Sequence, residues 1–170
     1  MMNGWITENN FRKEAESKNY LVTKSTRNDD MFKHIDFHLE KNGQSFSVDV
    51  KSRKKASRSN AKFDDEYTWV EFENVRGNRG WLYGDADYIV FEQEDEYIFI
   101  DRDKLLKFCL NAVSDKYVNN STQAIYKKYQ RFGRKDVISR IKLSHALESE
   151  YFNKPPMIWK KSHDQSNSLY

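Results

Sequence analysis

Two neighbouring segments of the chain, residues 33–39 and 45–51, alternate apolar and polar residues at every second position. The apolar members are Ile35, Phe37 and Leu39 in the first segment and Phe46, Val48 and Val50 in the second. Between the segments lies Lys41-Asn42-Gly43-Gln44, whose Asn-Gly pair favours a two-residue hairpin turn. A period of two is that of a strand with one buried face, so the pattern predicts an antiparallel β-hairpin.

The polar positions of this hairpin include two carboxylates and an ammonium group. Asp49 and Lys51 are two residues apart, which puts them on one face of the second strand, and Asp36 belongs to the polar face of the first. Aspartate is depleted in strands, yet Asp36 and Asp49 each lie within a β-prone run. A departure from local propensity of this kind often marks a functional position.

These residue types suit the cleavage of phosphodiester bonds. The reaction needs an attacking water and stabilisation of charge on the phosphoryl and leaving oxygens, all of which Mg²⁺ held by carboxylates can supply. Because Mg²⁺ prefers oxygen ligands, Asp36 and Asp49 with a main-chain carbonyl and water form a suitable cage. Lys51 would orient or help to deprotonate the attacking water and neutralise the phosphate.

The rest of the sequence predicts strands and helices around this hairpin. An opening helix is predicted over Thr7–Asn19, a short strand over Tyr20–Thr23 and a loop over Lys24–Asp30. Further strands are predicted at Tyr67–Phe72, Tyr88–Phe91 and Tyr97–Ile100, helices at Asp103–Val113, Ser121–Gln130 and Arg134–Glu150, and an end to regular structure at Pro155-Pro156. This order predicts an α/β fold with a central mixed β-sheet flanked by helices.

Asp36, the residues that follow it and Asp49-Val50-Lys51, after a helix and a strand, resemble the PD-(D/E)xK nuclease superfamily of restriction endonucleases and junction resolvases. Ile35 stands where the proline of the family motif would be. The run Asn19–Lys55 is most similar to the Holliday-junction resolvase branch. The resemblance implies a restriction-endonuclease-like fold and metal-dependent hydrolysis of DNA, with junction or branched DNA as a possible structure-specific substrate. It also implies Mg²⁺ as cofactor, for which Mn²⁺ can substitute.

The opening helix often supplies a further metal-site carboxylate in that branch. By position, Glu8 is the best candidate, with Glu14 and Glu16 as rivals because one sequence does not fix the helix register. The resemblance thus implies a catalytic and metal-binding set of Asp36, Asp49 and Glu8, with Lys51 as the remaining catalytic residue.

Three segments are candidates for DNA contact. One is a basic cluster that forms either a plain exposed helix end or a second DNA contact, and its members are Lys127, Lys128, Arg131, Arg134 and Lys135. The run Lys51–Lys62 has six basic residues and no large apolar side chain, so Arg53, Lys54, Lys55 and Arg58 either contact phosphates or belong to a solubilising loop. Arg76, Arg79 and Trp81 lie in a glycine-containing segment that either grips a DNA strand or forms a turn around a partly buried ring. Glu71, on a predicted strand, either extends the metal cage or lies on a solvated sheet face.

Length and composition predict one domain over residues 1–160 and a flexible polar tail over 161–170. The chain has 29 basic and 26 acidic residues, so its net charge is small and attraction to DNA must come from where the charges lie. Cys109 is the only cysteine and lies among apolar residues, which indicates a reduced, intracellular protein. The absence of a long apolar run predicts a cytoplasmic location without a membrane partner. The polar composition suits a phage-encoded protein acting in a host cell, and a homodimer suits an enzyme that must cut two strands.

Other functions fit the same residues. Asp36 and Asp49 could be solvent-facing strand residues, with Lys51 in a surface ion pair that contributes little. The protein would then be a catalytically silent nucleic-acid-binding or inhibitor protein on the same fold. A third alternative is a protein-interaction module that uses the aromatic segment around Trp81.

Overall fold

The computed structural model describes residues 2–55 and 62–162, with side chains from residue 4 onward. The helices in this part of the chain are α1 (Met2–Ser17), α2 (Arg27–Lys33), α3 (Arg102–Ala112) and α4 (Leu143–Glu148). The strands are β1 (Leu21–Lys24), β2 (Phe37–Lys41), β3 (Gln44–Lys51), β4 (Tyr67–Glu73), β5 (Tyr88–Glu92), β6 (Glu96–Asp101), β7 (Ser114–Val118), β8 (Lys127–Tyr129), β9 (Val137–Lys142) and β10 (Met157–Lys160). The predicted α/β class is confirmed.

The described residues divide into two compact units. The first falls within Met1–Ser52, Asp85–Asp101 and Pro156–Tyr170, and the second within Arg53–Gly84 and Arg102–Pro155. Each unit has its own mixed sheet, so the strands form two sheets rather than the one central sheet predicted. Most of the predicted tail, residues 163–170, lies outside the described residues. The boundaries of a single domain over 1–160 stay a prediction.

The first unit contains a six-stranded sheet in the order β1-β2-β3-β5-β6-β10. All neighbouring strands are antiparallel except β3 and β5, which run parallel at the centre. The predicted hairpin is present, with Lys41 paired to Gln44 around Asn42 and Gly43, but its first strand starts at Phe37 and not at Lys33, which ends α2. Both turn residues have positive φ, 55° and 76°, as a hairpin turn that follows the strand twist requires.

Aromatic packing joins helix α1 to one face of this sheet. Phe11 is fully buried, and its ring lies 5.4 Å from that of Tyr97 and 5.6 Å from that of Trp159, between ring centroids. Val48 and Val50 of the central strand belong to the same core. Because side chains alternate along a strand, Asp49 points to the opposite face.

The second unit contains a four-stranded sheet in the order β4-β9-β8-β7. Strands β7 and β8 are parallel, and β9 is antiparallel to both of its neighbours. Helix α3 lies where it was predicted and buries Leu105, Phe108 and Cys109. The burial of Cys109 agrees with a structural thiol.

Four predictions of local structure were wrong. The loop predicted over Lys24–Asp30 includes the start of α2, whose N-cap Thr26 accepts a hydrogen bond from the Asp29 N–H at 3.1 Å. The predicted helices Ser121–Gln130 and Arg134–Glu150 contain β8 and β9, because pairing of β9 with β4 and β8 overrides the helical spacing of Val137 and Ile141. In the second of them only Leu143–Glu148 is helical, as α4. Regular structure also continues past Pro156, since β10 pairs with β6.

None of the helices in the described ranges is both long enough and apolar enough to cross a lipid bilayer.

Candidate active site

The β2–β3 hairpin brings Asp36 and Asp49 next to each other in the first unit. The paired register of β2 and β3 ends at Phe37 and Val48, and Asp36 directly precedes β2, close enough to Asp49 for the charge of Asp49 to raise the pKa of Asp36. The Asp36 N–H donates to the Val48 carbonyl oxygen at 2.8 Å, one residue out of the register that pairs Phe37 with Val48. The two carboxylates thus lie close together, although Asp36 precedes β2 instead of lying within the strand predicted over residues 33–39.

Hydrogen bonds on both sides hold Asp36 in position. Its main-chain carbonyl oxygen accepts from the Ser25 N–H at 2.9 Å and from the Ser25 hydroxyl at 3.1 Å, at the end of β1. Its side-chain Oδ2 accepts from the Val50 N–H at 2.7 Å. A carboxylate oxygen thus takes the place of a backbone acceptor where β2 no longer pairs with β3, and this fixes the direction of the Asp36 side chain.

Both aspartates are buried. Asp36 is 6% exposed and Asp49 is 3% exposed, which contradicts the alternative that they are solvent-facing strand residues. The Oδ2 atom of Asp49 is inaccessible to solvent and has no hydrogen-bond partner within the described part of the chain. An unpartnered buried carboxylate oxygen is costly, so a site of this kind calls for a ligand that satisfies it.

Lys51 reaches the same carboxylate. Its Nζ lies 3.0 Å from Asp49 Oδ1, and its side chain is 26% exposed. The ammonium group is therefore held beside the carboxylate pair and remains accessible from solvent, in a position to meet a bound phosphate.

The three glutamates of the opening helix have different surroundings. Glu8 Oε2 accepts from Lys24 Nζ at 3.0 Å, and the negative charge of Glu8 acts on Asp36. Glu14 is buried and accepts from the Ser162 hydroxyl at 3.0 Å, while Glu16 pairs with Arg12 at 2.9 Å on the surface. Of these three glutamates, Glu8 is the one whose negative charge contributes to raising the pKa of Asp36.

The described residues do not bring a larger set of metal-ligating side chains together at this site or elsewhere. Over residues 2–55 and 62–162, no group of three or more His, Cys, Asp or Glu side chains lies close enough together to hold one metal ion. The carboxylates of Asp36 and Asp49 are therefore a pair of candidate ligands, and Glu8 lies near them without completing a triad.

The surroundings of Asp36 favour its protonated form. Burial first, and then the charge of Asp49, raise the pKa of Asp36 to about 8, with Glu8 adding to the increase. The charge of Lys51 and the hydrogen bond from the Val50 N–H act in the opposite direction and are outweighed.

The raised pKa of Asp36 predicts a pH dependence of stability in metal-free protein. The folded-state pKa lies above the unfolded value, so the folded state keeps a proton that the unfolded state releases. The stability that this retained proton adds to the folded state is complete below about pH 4 and is lost as the pH rises towards 8. In EDTA, we expect Asp36→Asn to gain stability relative to wild type between pH 5 and 8, by on the order of 1 kcal/mol per pH unit. Urea unfolding of both proteins at several pH values measures this difference, and a constant difference would contradict the prediction.

The proposed phosphate contacts after Lys51 belong to the second unit. Arg53 Nε donates to Asp65 Oδ1 at 2.8 Å, and its guanidinium lies 4.6 Å from the centre of the Phe63 ring. The Lys55 ammonium lies 5.6 Å from the same ring, and Lys54 accepts the Asp64 N–H through its main-chain oxygen. Arg58 lies outside the described residues.

The segment around Trp81 is an ordered turn of the second unit. Trp81 is 7% exposed and begins a 3-10 helix, which favours the structural interpretation of this ring over base stacking. The main-chain N–H of Trp81 donates to Glu71 Oε1 at 3.3 Å, so the Glu71 side chain supports the turn. Arg79 lies 5.0 Å over the Tyr83 ring, and Arg76 donates its N–H to Asn74 Oδ1 at 3.0 Å.

Sequence reasoning missed two features of the site. It gave no role to Ser25, which binds the main chain of Asp36, although Ser25 lies directly after β1. It also left the burial of Asp49 undecided, because the parallel pairing of β3 with β5 joins residues about 40 positions apart.

Comparison with known proteins gives one structural likeness. Neither a protein-family model nor a curated protein matches the chain. Among solved structures, the bacterial homing endonuclease I-Ssp6803I is similar over 62% of this chain and 71% of its own, at 19% sequence identity and a TM-score of 0.47.

Proposed function

We propose that the protein is a metal-dependent endonuclease that hydrolyses DNA phosphodiester bonds, in the manner of the PD-(D/E)xK nucleases. The observation that carries the proposal is the juxtaposition of Asp36, Asp49 and Lys51 at the β2–β3 hairpin, where Lys51 Nζ lies 3.0 Å from Asp49 Oδ1 and the charges of Asp49 and Lys51 both act on Asp36. Two buried carboxylates beside an ammonium group are costly to assemble for stability alone. They match the needs of phosphoryl transfer, in which a divalent cation and a nearby base act together.

The donor set suits Mg²⁺. Magnesium is commonly bound by one or two carboxylates and keeps several waters, so two aspartates are sufficient protein ligands. No donor among the described residues bonds the buried Oδ2 of Asp49, which a cation would satisfy. Glu8, paired with Lys24 at 3.0 Å, would assist through a water or after release from that lysine. When bound, Mg²⁺ would polarise the phosphate and lower the pKa of a bound water.

Lys51 would act on the nucleophile and the phosphate. Its ammonium group lies 3.0 Å from Asp49 Oδ1 and is partly exposed, so a phosphate at the carboxylates would meet its positive charge. The same group would orient the attacking water by hydrogen bonding. We propose DNA with junctions or branches as the substrate, because the hairpin is most similar to that of junction resolvases.

A cleavage assay tests this proposal. The protein is incubated with supercoiled plasmid, single-stranded DNA and a four-way junction in Mg²⁺, in Mn²⁺ and in EDTA. We expect cleavage with either cation and none in EDTA, because the reaction depends on a cation at the aspartates. Nicked circles would indicate single cuts, and direct formation of linear plasmid would indicate two active sites acting together, as in a homodimer.

Retarded DNA that stays intact under every cation would contradict the proposal and support a catalytically silent DNA-binding protein. Cleavage that persists unchanged in EDTA would also contradict it, because the aspartate pair would then not act through a cation.

A further inference from the structure

A polar cleft of about 420 Å³ opens at the edge of the sheet in the second unit. Strands β7 and β8 and the turn between them form it. Its volume is within the range of sites that bind small ligands, and is sufficient for a nucleotide. The polar residues that line it are Lys116, Tyr117, Asn119, Gln123, Lys127 and Gln130.

The charge of this cleft favours an anion. Lys116 and Lys127 line it, and none of the described residues that line it is acidic. The neighbouring Asp115 is paired with Lys128 at 3.0 Å and so does not neutralise Lys116. Within residues 2–55 and 62–162, neither Lys116 nor Lys127 forms an ion pair, so both charges are available to a phosphate group.

The cleft also offers contacts suited to a base. Tyr117 is 53% exposed, and although Lys128 Nζ lies 5.9 Å from the centre of its ring, the exposed part of the ring can stack on a base. The amide groups of Asn119 and Gln123 can donate and accept hydrogen bonds at the edge of a base. A cation, an exposed ring and side-chain amides together match the chemistry of a nucleotide.

Next to the cleft, a turn exposes an aromatic ring completely. Phe132 is 101% exposed and lies two residues after Gln130. The turn is fixed, since the Arg134 N–H donates to the Arg131 carbonyl oxygen at 3.0 Å and Gly133 has a φ of 74°. A single exposed apolar residue needs no explanation, but this one stands at the tip of an ordered turn beside two cations, Arg134 and Lys135.

We infer that the cleft and Phe132 form a second nucleic-acid site, which binds unpaired nucleotides and is separate from the proposed active site. Lys116 and Lys127 contact phosphates, and Tyr117 and Phe132 stack on successive bases. Stacking platforms beside a basic groove are the usual means of binding single strands without sequence preference. The choice of ligand rests on the proposed function, because a nuclease of branched DNA encounters unpaired nucleotides, but binding here requires no metal.

Fluorescence anisotropy of the full-length protein in EDTA tests this inference, with a labelled oligothymidine and a duplex of equal length. We expect tighter binding of oligothymidine per nucleotide. We expect Phe132→Ala to weaken it about 5- to 150-fold, while Phe132→Tyr keeps it. The double variant Lys116→Ala/Lys127→Ala should lower the salt dependence by about 0.7 per lysine. Leu110→Ala and Lys154→Ala, at exposed positions elsewhere in the same unit, are matched controls that should bind normally.

Unchanged binding by Phe132→Ala and by the double lysine variant would overturn the inference, as would equal losses in the two controls or a preference for the duplex. Binding to anionic lipid vesicles that requires Phe132, without oligothymidine binding, would overturn it in favour of a membrane contact. If the protein binds oligothymidine as expected but cuts no DNA in Mg²⁺, only the nuclease proposal is refuted. If the wild-type protein cuts DNA but Phe132→Ala leaves its affinity for oligothymidine unchanged, only this second site is refuted.

Discussion

Asp49→Asn is expected to abolish DNA cleavage while the protein still folds and binds DNA. The substitution keeps the shape of a side chain that is 3% exposed, and removes the negative charge that lies 3.0 Å from Lys51. An amide is a poor ligand for Mg²⁺ compared with a carboxylate, so the cation would no longer be held. A loss of about 10³-fold or more in the rate of plasmid nicking is expected, which is the scale on which single catalytic groups contribute.

The measurement is a time course of supercoiled plasmid with saturating Mg²⁺, alongside a DNA-retardation assay. Asp103→Asn is a matched control, because that carboxylate is paired with Lys107 at 3.0 Å on an exposed face of helix α3. It should cut at the wild-type rate. Lys51→Ala should fail to cut in the same way as Asp49→Asn. If Asp49→Asn cuts at a rate near that of wild type, the proposed site is not the active site.

Phe11→Ala should cause a large loss of stability, because Phe11 joins helix α1 to the six-stranded sheet. The ring is fully buried and lies within about 6 Å of the rings of Phe37, Tyr97, Phe99 and Trp159, between centroids. Truncation of a buried phenylalanine to alanine costs about 3–5 kcal/mol through lost burial and the cavity left behind. For a chain of this size that corresponds to a fall in melting temperature of about 6–20 °C.

Thermal unfolding followed by circular dichroism measures this effect. The matched control is Phe32→Ala in helix α2 of the same unit, since Phe32 is 66% exposed and loses little on truncation. That variant should melt within about 2 °C of wild type. A similar fall in both variants would mean that Phe11 does not hold the core together.

The site and the fold differ in how far the sequence predicted them. The alternation over residues 33–51 predicted the hairpin, its Asn42-Gly43 turn and the shared face of Asp49 and Lys51, because period and turn chemistry are local properties. The strands β4, β5 and β6 and the helix α3 followed from the same local rules. Where local rules conflicted with partners distant in sequence, as in β8, β9 and β10, the prediction was wrong.

Sequence alone determined the hairpin and the shared face of Asp49 and Lys51, because a side chain's face is set by its parity and a tight turn sets the register. Only the tertiary structure decided that the aspartates are buried, that Ser25 and the Val50 N–H fix Asp36, and that the charge of Glu8 raises the pKa of Asp36. These features depend on contacts between β1, β3, β5 and α1. Such contacts form when distant segments pack together, and no short stretch of sequence encodes them.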